Sequence, residues 1–314
     1  MQGNNNIFGG PSWYSQTTGS RELTLPIMSG ARLSAAPAGA VPVSDGSSGS
    51  LYLTAYTSKF VPIPKIDGGW TYGKLPKRVD SNVWESKLDI SSTGLNVVAG
   101  TTYDVFGYVG ANGFVEMSLE SWSSPTARKT GSLIYLDGIP ISGFKNGHIF
   151  LGTFYCADDD IVYDLPNQRL LWNTYNRVHR HFSAIDTTNS WTYTTAAWRE
   201  QNNASSLGVS RVSVCIGLEY EPVDASQYMM VHHATHGGGV GIGIDSSTVN
   251  SALNWGTYCA NKYITTNARY IGYPGLGFHT IRALEYGYGT GTNTWYGDTG
   301  VVYMQTGLNG YMWG

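Results

Sequence analysis

The 314-residue chain carries little charge. Lys, Arg, Asp and Glu make up 13% of its residues, against about 25% in ordinary soluble domains, and the formal net charge is −3. Binding to nucleic acid needs clustered Lys and Arg that neutralise phosphates, and the sequence contains no basic run. We therefore expect no nucleic-acid partner.

Cysteines and long apolar runs are also scarce. Cys156, Cys215 and Cys259 lie far apart, which fits neither a zinc knuckle nor a dense disulfide framework and predicts buried free thiols. No stretch approaches the roughly 18 consecutive apolar residues of a membrane span. The first residues, MQGNNNIFGGPSW, lack a charged segment followed by an apolar one, as a secretory signal would have. We expect folding in a cytoplasm and no membrane insertion.

Glycine and aromatic residues are abundant, with 40 Gly, 22 Tyr and 10 Trp. Short alternating runs, such as TYDVFGYV from Thr102 and HIFLGTFY from His148, are bounded by Gly, Asn, Asp or Pro, as is typical of sandwich strands. The GANG segment at Gly110 predicts a hairpin turn. Only SALNWGTYCANKYI, from Ser251, could hold two helical turns, and its Gly256 disfavours them. The sequence therefore predicts an all-β fold.

The strand pattern divides the chain into three parts. Residues 1–20 are mostly Asn, Gly, Ser and Gln and predict a flexible N-terminal arm. Residues 21–165 predict an N-terminal β-sandwich, and residues 166–314 a C-terminal jelly-roll-like β-sandwich. The boundary falls in CADDDIVYDLPNQR, where acids and a proline break the pattern. Low charge with much aromatic surface predicts a closed oligomer, and we expect a homotrimer, because such a surface would otherwise self-associate.

The segment MMVHHATHGGG could suggest a metal site through His232, His233 and His236. A zinc motif of the H-E-x-x-H type needs a helix and a Glu, whereas here Ala and Thr stand between and glycines follow. In a strand, His232 and His233 would point to opposite faces. We expect no metal at this segment.

Two acidic groups have both a chemical and a structural interpretation. The cluster of Asp158, Asp159, Asp160 and Asp164 lacks the spacing of an EF-hand loop, so a solvated turn is favoured over calcium binding. Carboxylates close together at Glu219, Glu221 and Asp224 could cleave a glycan if their separation were suitable, which sequence cannot give. Polysaccharide cleavage stays open as an alternative.

Other catalytic motifs are missing from the sequence. There is no G-x-S-x-G elbow, and GGGVGIG at Gly237 is not followed by the Gly-Lys-Ser/Thr of a phosphate loop. Its glycines instead predict close approach of two backbones. We expect no catalytic residue and no cofactor, and we interpret the protein as non-enzymatic.

Aromatic and basic side chains of the C-terminal part form the candidate contact surfaces, because rigid rings with polar tips suit subunit interfaces and sugar rings. Arg177 and Arg180 could each clamp a neighbouring subunit's carboxylate or face solvent. The candidate trimer interface comprises Trp172, Tyr175, Arg177, Arg180, Tyr270, Tyr273, Tyr311 and Trp313. The candidate glycan contacts are Trp295, Tyr296 and Asp298.

The C-terminal part also carries a family resemblance. RLLWNTYNRV, DTTNSWTYTTAAWREQNN, RVSVCIGLEYEPV, VGIGIDSSTVNSA, ARYIGYPGLGFHTIRALEYG, WYGDTG and LNGYMWG together resemble a group of bacteriophage virion proteins described as tail-fibre, head-fibre or spike-like. TTYDVFGYVGANGFVEMSLESW is the most telling stretch of the N-terminal half, so the resemblance covers roughly residues 21–314.

The resemblance implies a virion structural component, commonly a trimer, that contacts other tail, collar or capsid proteins. The arm, through Ile7, Phe8, Trp13 and Tyr14, would attach it to the particle. Because the chain has no long repetitive shaft, a compact fibre or spike that displays its C-terminal domain toward the host is favoured. A glycan-binding adhesin or depolymerase tailspike acting on host surface polysaccharide, and a capsid decoration or collar protein, are the alternatives.

Overall fold

The computed structural model describes residues 28–37, 45–79, 82–91, 95, 97–298, 300 and 304–314. Within them the chain forms 25 β-strands and one short 3-10 turn at Gln201–Asn203, which confirms the all-β prediction. The predicted arm and its anchors Ile7, Phe8, Trp13 and Tyr14 lie outside the described residues. In the described part, no helix has the length and apolar character to cross a bilayer.

The strands are numbered along the chain. Those up to residue 173 are β1 (Ala31–Ser34), β2 (Gly46–Ser48), β3 (Ser50–Ala55), β4 (Phe60–Pro64), β5 (Trp70–Lys74), β6 (Glu85–Asp89), β7 (Thr101–Val109), β8 (Val115–Ser121), β9 (Leu133–Leu136), β10 (Ile139–Ser142), β11 (Ile149–Cys156), β12 (Val162–Leu165), β13 (Gln168–Arg169) and β14 (Leu171–Asn173). The later strands are β15 (His179–Asp186), β16 (Ser190–Tyr193), β17 (Trp198–Glu200), β18 (Arg211–Ile216), β19 (Val223–His233), β20 (Gly237–Ile244), β21 (Thr257–Tyr258), β22 (Lys262–Gly272), β23 (Gly277–Tyr286), β24 (Asn293–Tyr296) and β25 (Thr306–Trp313).

Three sheets are built from the earlier strands. The largest, called here the N-terminal sheet, has the order β8-β7-β11-β10-β9, with β14 also paired to β11. A three-stranded sheet, β1-β3-β6, and a two-stranded sheet, β4-β5, complete this part. Their apolar side chains share one core, which includes Leu33, Leu53, Val105, Leu151 and Phe154.

The predicted hairpin at Gly110 joins β7 to β8. Val109 pairs with Val115, and the N–H of Gly110 donates to the carbonyl oxygen of Phe114 at 2.8 Å. The hairpin is confirmed, although its turn is longer than the two-residue Asn-Gly turn that the sequence suggested. Gly113 has a φ of 77°, a conformation that glycine adopts without steric cost.

The C-terminal part is a two-layer sandwich. One layer, called here the large sheet, has the order β2-β12-β13-β18-β23-β20-β21, with β17 also on β23. The other layer, the outer sheet, has the order β15-β25-β19-β24-β16, with β22 also paired to β19. Their facing side chains form the second core, with Val214, Val240, Ile242 and Ile281 from the large sheet and Phe182, Met229, Val231 and Leu308 from the outer sheet. The jelly-roll connectivity and the trimer stay predictions.

The pairing of strands continues across residue 165. Strand β13 pairs in parallel with β18, while β12 and β2 extend the same sheet on its other side. Strand β14 returns to the N-terminal sheet through β11. The predicted boundary therefore does not coincide with a gap between sheets, and the division into domains stays a prediction.

The segment from Ser251 is not helical. It contains β21 and runs into β22, with no helical turn among its described residues, in agreement with the helix-disfavouring effect of Gly256. Gly256 has a φ of 85°, so it turns the chain between two extended segments.

Candidate binding surface

Trp172 and Tyr175 are buried within a single chain. The side chain of Trp172 is only 2% exposed and packs over Gly217, where an added Cβ would lie 2.2 Å from a ring carbon. Trp172 belongs to the core shared by the large and outer sheets, and Tyr175 belongs to the N-terminal core. Their assignment to a trimer interface was wrong, because rings enclosed by their own chain cannot contact another copy.

Arg177 and Arg180 pair with carboxylates of their own chain. Arg180 Nη2 donates to Asp164 Oδ2 at 2.7 Å and to Asp45 Oδ1 at 3.0 Å. Arg177 Nη1 forms an ion pair with Glu221, and its guanidinium lies 4.7 Å from the ring centroid of Tyr220. Arg180 is enclosed by its own chain, so neither the clamp on a neighbouring subunit nor the solvent-facing alternative describes it. The side chain of Arg177 is 21% exposed, and its contact with a neighbouring subunit stays a prediction.

The Arg180 cluster holds the chain at the junction between the two cores. Arg169 Nη1 also donates to Asp164 Oδ1 at 2.9 Å, so this buried carboxylate accepts from two guanidinium groups. Nearby, burial and the neighbouring Arg180 lower the pKa of Arg32 to about 10. Arg32 Nη1 donates to the carbonyl oxygen of Asn176 at 2.7 Å. These contacts are structural, since partnered buried charges are costly to break.

Trp295 was wrongly assigned to a glycan contact, because its side chain is 0% exposed. Along β24 the side chains alternate, so Asn293 and Trp295 point into the core and Tyr296 points outward. Asp298 is half-buried, and its Oδ1 accepts a hydrogen bond from the N–H of Gly300 at 2.8 Å. Of the three predicted glycan contacts, Tyr296 lies on an outward face.

The histidine segment does not gather its imidazoles around one point. His233 is buried, and its Nε2 lies 2.9 Å from the Thr290 carbonyl oxygen, while its Nδ1 accepts backbone hydrogen bonds from Thr235 and His236. Both ring nitrogens are thus occupied. His232 points outward on β19, as strand alternation predicts. Among the described residues, no group of three His, Cys, Asp or Glu side chains is arranged for a metal.

The first acidic group lies in a turn. Asp158 Oδ2 accepts from the Tyr163 hydroxyl at 2.7 Å, and Asp159 Oδ1 accepts from the N–H of Ala99 at 2.7 Å. Asp160 has a φ of 60°, whereas Asp164 belongs to the arginine cluster. Asp158, Asp159 and Asp164 therefore make separate contacts within their own chain.

The second acidic group is divided between two arginines. Glu221 pairs with Arg177, and burial raises the pKa of Glu221 against the opposing effect of that guanidinium. Asp224 Oδ2 accepts from Arg269 Nη2 at 2.6 Å. Glu219 is exposed. Glu221 and Asp224 are therefore each engaged by a different arginine of the same chain.

The outer sheet has a side that the described part of the chain leaves partly exposed, called here the aromatic face. It consists of the side chains of β15, β19, β22, β24 and β25 that point away from the core. Strand pairing brings Tyr311 beside Asp224, Gly307 beside Tyr228, and Tyr263 beside His232. The aromatic members of this face are His179, His181, Tyr228, His232, Tyr263, Tyr296, Tyr311 and Trp313.

The sequence predictions included Tyr296, Tyr311 and Trp313 of this face but missed Tyr228 and Tyr263. The alternation of polar and apolar residues in VDASQYMMVHH and KYITTNARYIG could have indicated these two tyrosines.

The rings of the aromatic face form two clusters. At one end, His179 stacks on Tyr311 with centroids 4.6 Å apart and meets Trp313 edge-on at 4.0 Å. At the other, Tyr263 lies 4.8 Å from His232 and 5.6 Å from Tyr296. Of the remaining predicted interface residues, Tyr273 is exposed and Tyr270 packs partly against the core.

A shallow depression of about 360 Å³ lies between the two clusters. Gly307 contributes no side chain at its centre, so Tyr228 and Ile185 stand as walls on the neighbouring strands. Polar side chains complete its lining, namely His181, Ser183, Gln305 and Asn309. The volume is within the range of about 300–1,000 Å³ typical of small-ligand sites.

A second exposed region, called here the apolar loop, spans residues 249–258. Val249, Leu253, Trp255 and Tyr258 are 58–71% exposed. The loop is nevertheless anchored, because the N–H of Leu253 donates to the Arg269 carbonyl oxygen at 2.7 Å. Four large apolar side chains exposed within ten residues make this loop a candidate interaction surface.

The glycine-rich strand β20 lies beneath this loop. At Gly237 an added Cβ would lie 1.8 Å from the Thr257 carbonyl oxygen, and at Gly241 it would lie 2.8 Å from the Trp198 ring. The prediction of close backbone approach is confirmed at Gly237. The segment is a packed strand, as its place in the large sheet shows.

Neither a protein-family model nor a curated relative matches the chain. One solved structure similar to the chain is a β-porphyranase of glycoside hydrolase family 86 from the human gut bacterium Bacteroides plebeius. The two share 9% identity with a TM-score of 0.24, and the match covers 86% of this chain and 36% of the porphyranase. The insecticidal delta-endotoxin Cry8Ea1 from Bacillus thuringiensis matches at 7% identity and a TM-score of 0.25, covering 90% and 51%. The chain thus spans about a third and about half of these proteins, and TM-scores this low carry no argument about function.

Proposed function

We propose that this protein is a structural virion component, a compact bacteriophage fibre or spike that assembles as a homotrimer and does not catalyse a reaction. The apolar loop is the observation that carries the assembly part of this proposal. Exposed Leu, Val and Trp side chains gain about 25 cal/mol for each Å² of apolar surface removed from water. Association with other copies would realise this gain.

The apolar loop is preorganised for such a contact. Trp255 meets Trp198 edge-on at 5.6 Å, and Asn250 Oδ1 accepts the backbone N–H groups of Ile242 and Ala252, each at 3.0 Å. A fixed loop loses less conformational entropy on association than a mobile one. Because a closed symmetric assembly uses up such a surface, a trimer is favoured over open-ended association.

The arrangement of charged groups supports a non-catalytic role. The carboxylates first considered for glycan cleavage, Glu221 and Asp224, are each held by a separate arginine. The buried carboxylates Asp104, Asp164 and Glu200 likewise accept from arginines that tie strands together. Such pairs serve the fold rather than proton transfer.

The virion role itself draws on the resemblance to tail-fibre, head-fibre and spike-like proteins, and immunogold electron microscopy tests it. An antibody raised against the purified protein is applied to intact particles of the phage that encodes it, with pre-immune serum as the control. We expect label at fixed positions, and its place on tail, collar or head distinguishes a fibre or spike from a decoration protein. Unlabelled particles from a lysate that contains the protein would contradict the proposal.

A further inference from the structure

We infer that the protein has a second function beyond assembly, the binding of an uncharged oligosaccharide on the aromatic face, across the depression beside Tyr228. The side chain of Tyr228 is 44% exposed at the wall of the depression, and Gly307 next to it leaves the backbone uncovered. The site is therefore open to a ligand that lies flat on the sheet.

The chemistry of the lining matches a sugar. A pyranose ring has an apolar C–H face that packs on an aromatic ring and equatorial hydroxyls that need hydrogen-bond partners. Tyr228 offers the ring. Ser183 and Asn309, two residues further along the neighbouring strands, and His181, four residues further, offer donors and acceptors. His181 and Asn309 are exposed, so a ligand can reach them. A few polar groups placed among apolar ones are the usual composition of a small-ligand site.

The charge of the aromatic face favours a neutral ligand. Apart from its histidines, its charged side chains are Asp224 and Arg269, which bind each other through two hydrogen bonds of 2.6 and 3.1 Å. This pair leaves no excess positive charge for an acidic polysaccharide or a phosphate. The outward Ser226, Asn267 and Asn309 make the face more polar than the apolar loop, so it fits a hydroxyl-rich ligand better than a second copy of the chain.

The dimensions of the aromatic face indicate a chain of sugars rather than a monosaccharide. Along β19, the positions from Asp224 to His232 span about 26 Å at about 3.3 Å per residue. The cluster of His179, Tyr311 and Trp313 lies toward one end and that of Tyr263 and Tyr296 toward the other. Both can stack on sugars that extend beyond the depression.

A printed array of neutral and acidic oligosaccharides of four or more sugars tests the inference with the full chain. The variants are Tyr228→Ala, which removes the wall, and Tyr228→Phe, which keeps the ring. Tyr135→Ala, at an exposed tyrosine on β9 of the N-terminal sheet, is the matched control. We expect the wild type and the control to bind neutral glycans equally, Tyr228→Ala to lose at least tenfold in apparent affinity, and Tyr228→Phe to keep most of it.

On the array, three outcomes would overturn the inference: binding of no neutral glycan, binding of acidic glycans alone, or unchanged affinity in Tyr228→Ala. The molar mass of each variant in solution is also measured by light scattering. If Tyr228→Ala alters the number of associated copies, the aromatic face is a subunit contact and the glycan site is refuted. Glycan binding is assigned to the aromatic face and assembly to the apolar loop, so a result that refutes one of these proposals does not refute the other.

Discussion

Replacing Asp104 by alanine should loosen the contact between the N-terminal sheet and the C-terminal sandwich. Asp104 lies on β7 and accepts from Arg128 Nε at 2.7 Å, from Arg128 Nη2 at 3.0 Å and from the Thr153 hydroxyl at 2.8 Å. Arg128 Nη2 also donates to the carbonyl oxygen of Gly217, just after β18, at 2.6 Å. This one guanidinium therefore ties the two parts of the chain together.

The cost follows from the burial of the pair. The Asp104 side chain is 1% exposed and that of Arg128 12%, so Asp104→Ala leaves a nearly buried charge without its partner. Breaking a buried pair in this way costs about 3–5 kcal/mol. At about 2–4 °C per kcal/mol, the value for domains somewhat smaller than this chain, Tm should fall by roughly 6–20 °C.

Chemical denaturation followed by tryptophan fluorescence, together with calorimetry, measures this effect. Asp224→Ala is the control, because its partner Arg269 is exposed and such a surface pair contributes little. The double variant Asp104→Ala/Arg128→Met should recover much of the loss, since it leaves no unpaired charge. If Asp104→Ala destabilises no more than Asp224→Ala, the pair does not hold the two parts together.

Three further substitutions or treatments test the interior. Trp295→Ala should cost about 3–5 kcal/mol in unfolding free energy, because its ring is fully buried, and a change smaller than 1 kcal/mol would refute that placement. Gly241→Ala should lower Tm, since its Cβ would lie 2.7 Å from Asn250, and an unchanged Tm would contradict this packing. Burial raises the pKa of the Cys156, Cys215 and Cys259 thiols, so the reactive thiolate stays scarce as pH rises from 7 to 9. Ellman's reagent should then react with none of the three in native protein and with all of them in guanidinium, and prompt native reaction would argue against burial.

Local sequence patterns predicted the strands well. TYDVFGYV and HIFLGTFY coincide with β7 and β11, because short runs rich in aromatic and branched residues between turn residues favour strands. The hairpin at Gly110 was found for the same reason. These features depend on neighbours in the chain, which a single sequence displays directly. Strands β7 and β11 are buried almost throughout, so the alternation expected of them was wrong.

Features that depend on distant partners were missed. Nothing near Arg180 indicates that Asp45 and Asp164 would enclose it, and nothing near residue 165 indicates that β13 would pair with β18. Trp295 was mistaken for a surface ring because a short strand shows alternation without showing which side is covered. Only the arrangement of the outer sheet shows that the side of β24 that carries Tyr296 faces outward.

The mass of the protein in solution tests the proposed assembly most directly. Light scattering of the wild type at micromolar concentration should give about three times the 34.1 kDa of one chain. The Leu253→Ser/Trp255→Ser variant of the apolar loop should shift toward a single chain, while Tyr135→Ala should not. A wild-type mass equal to one chain would contradict the account.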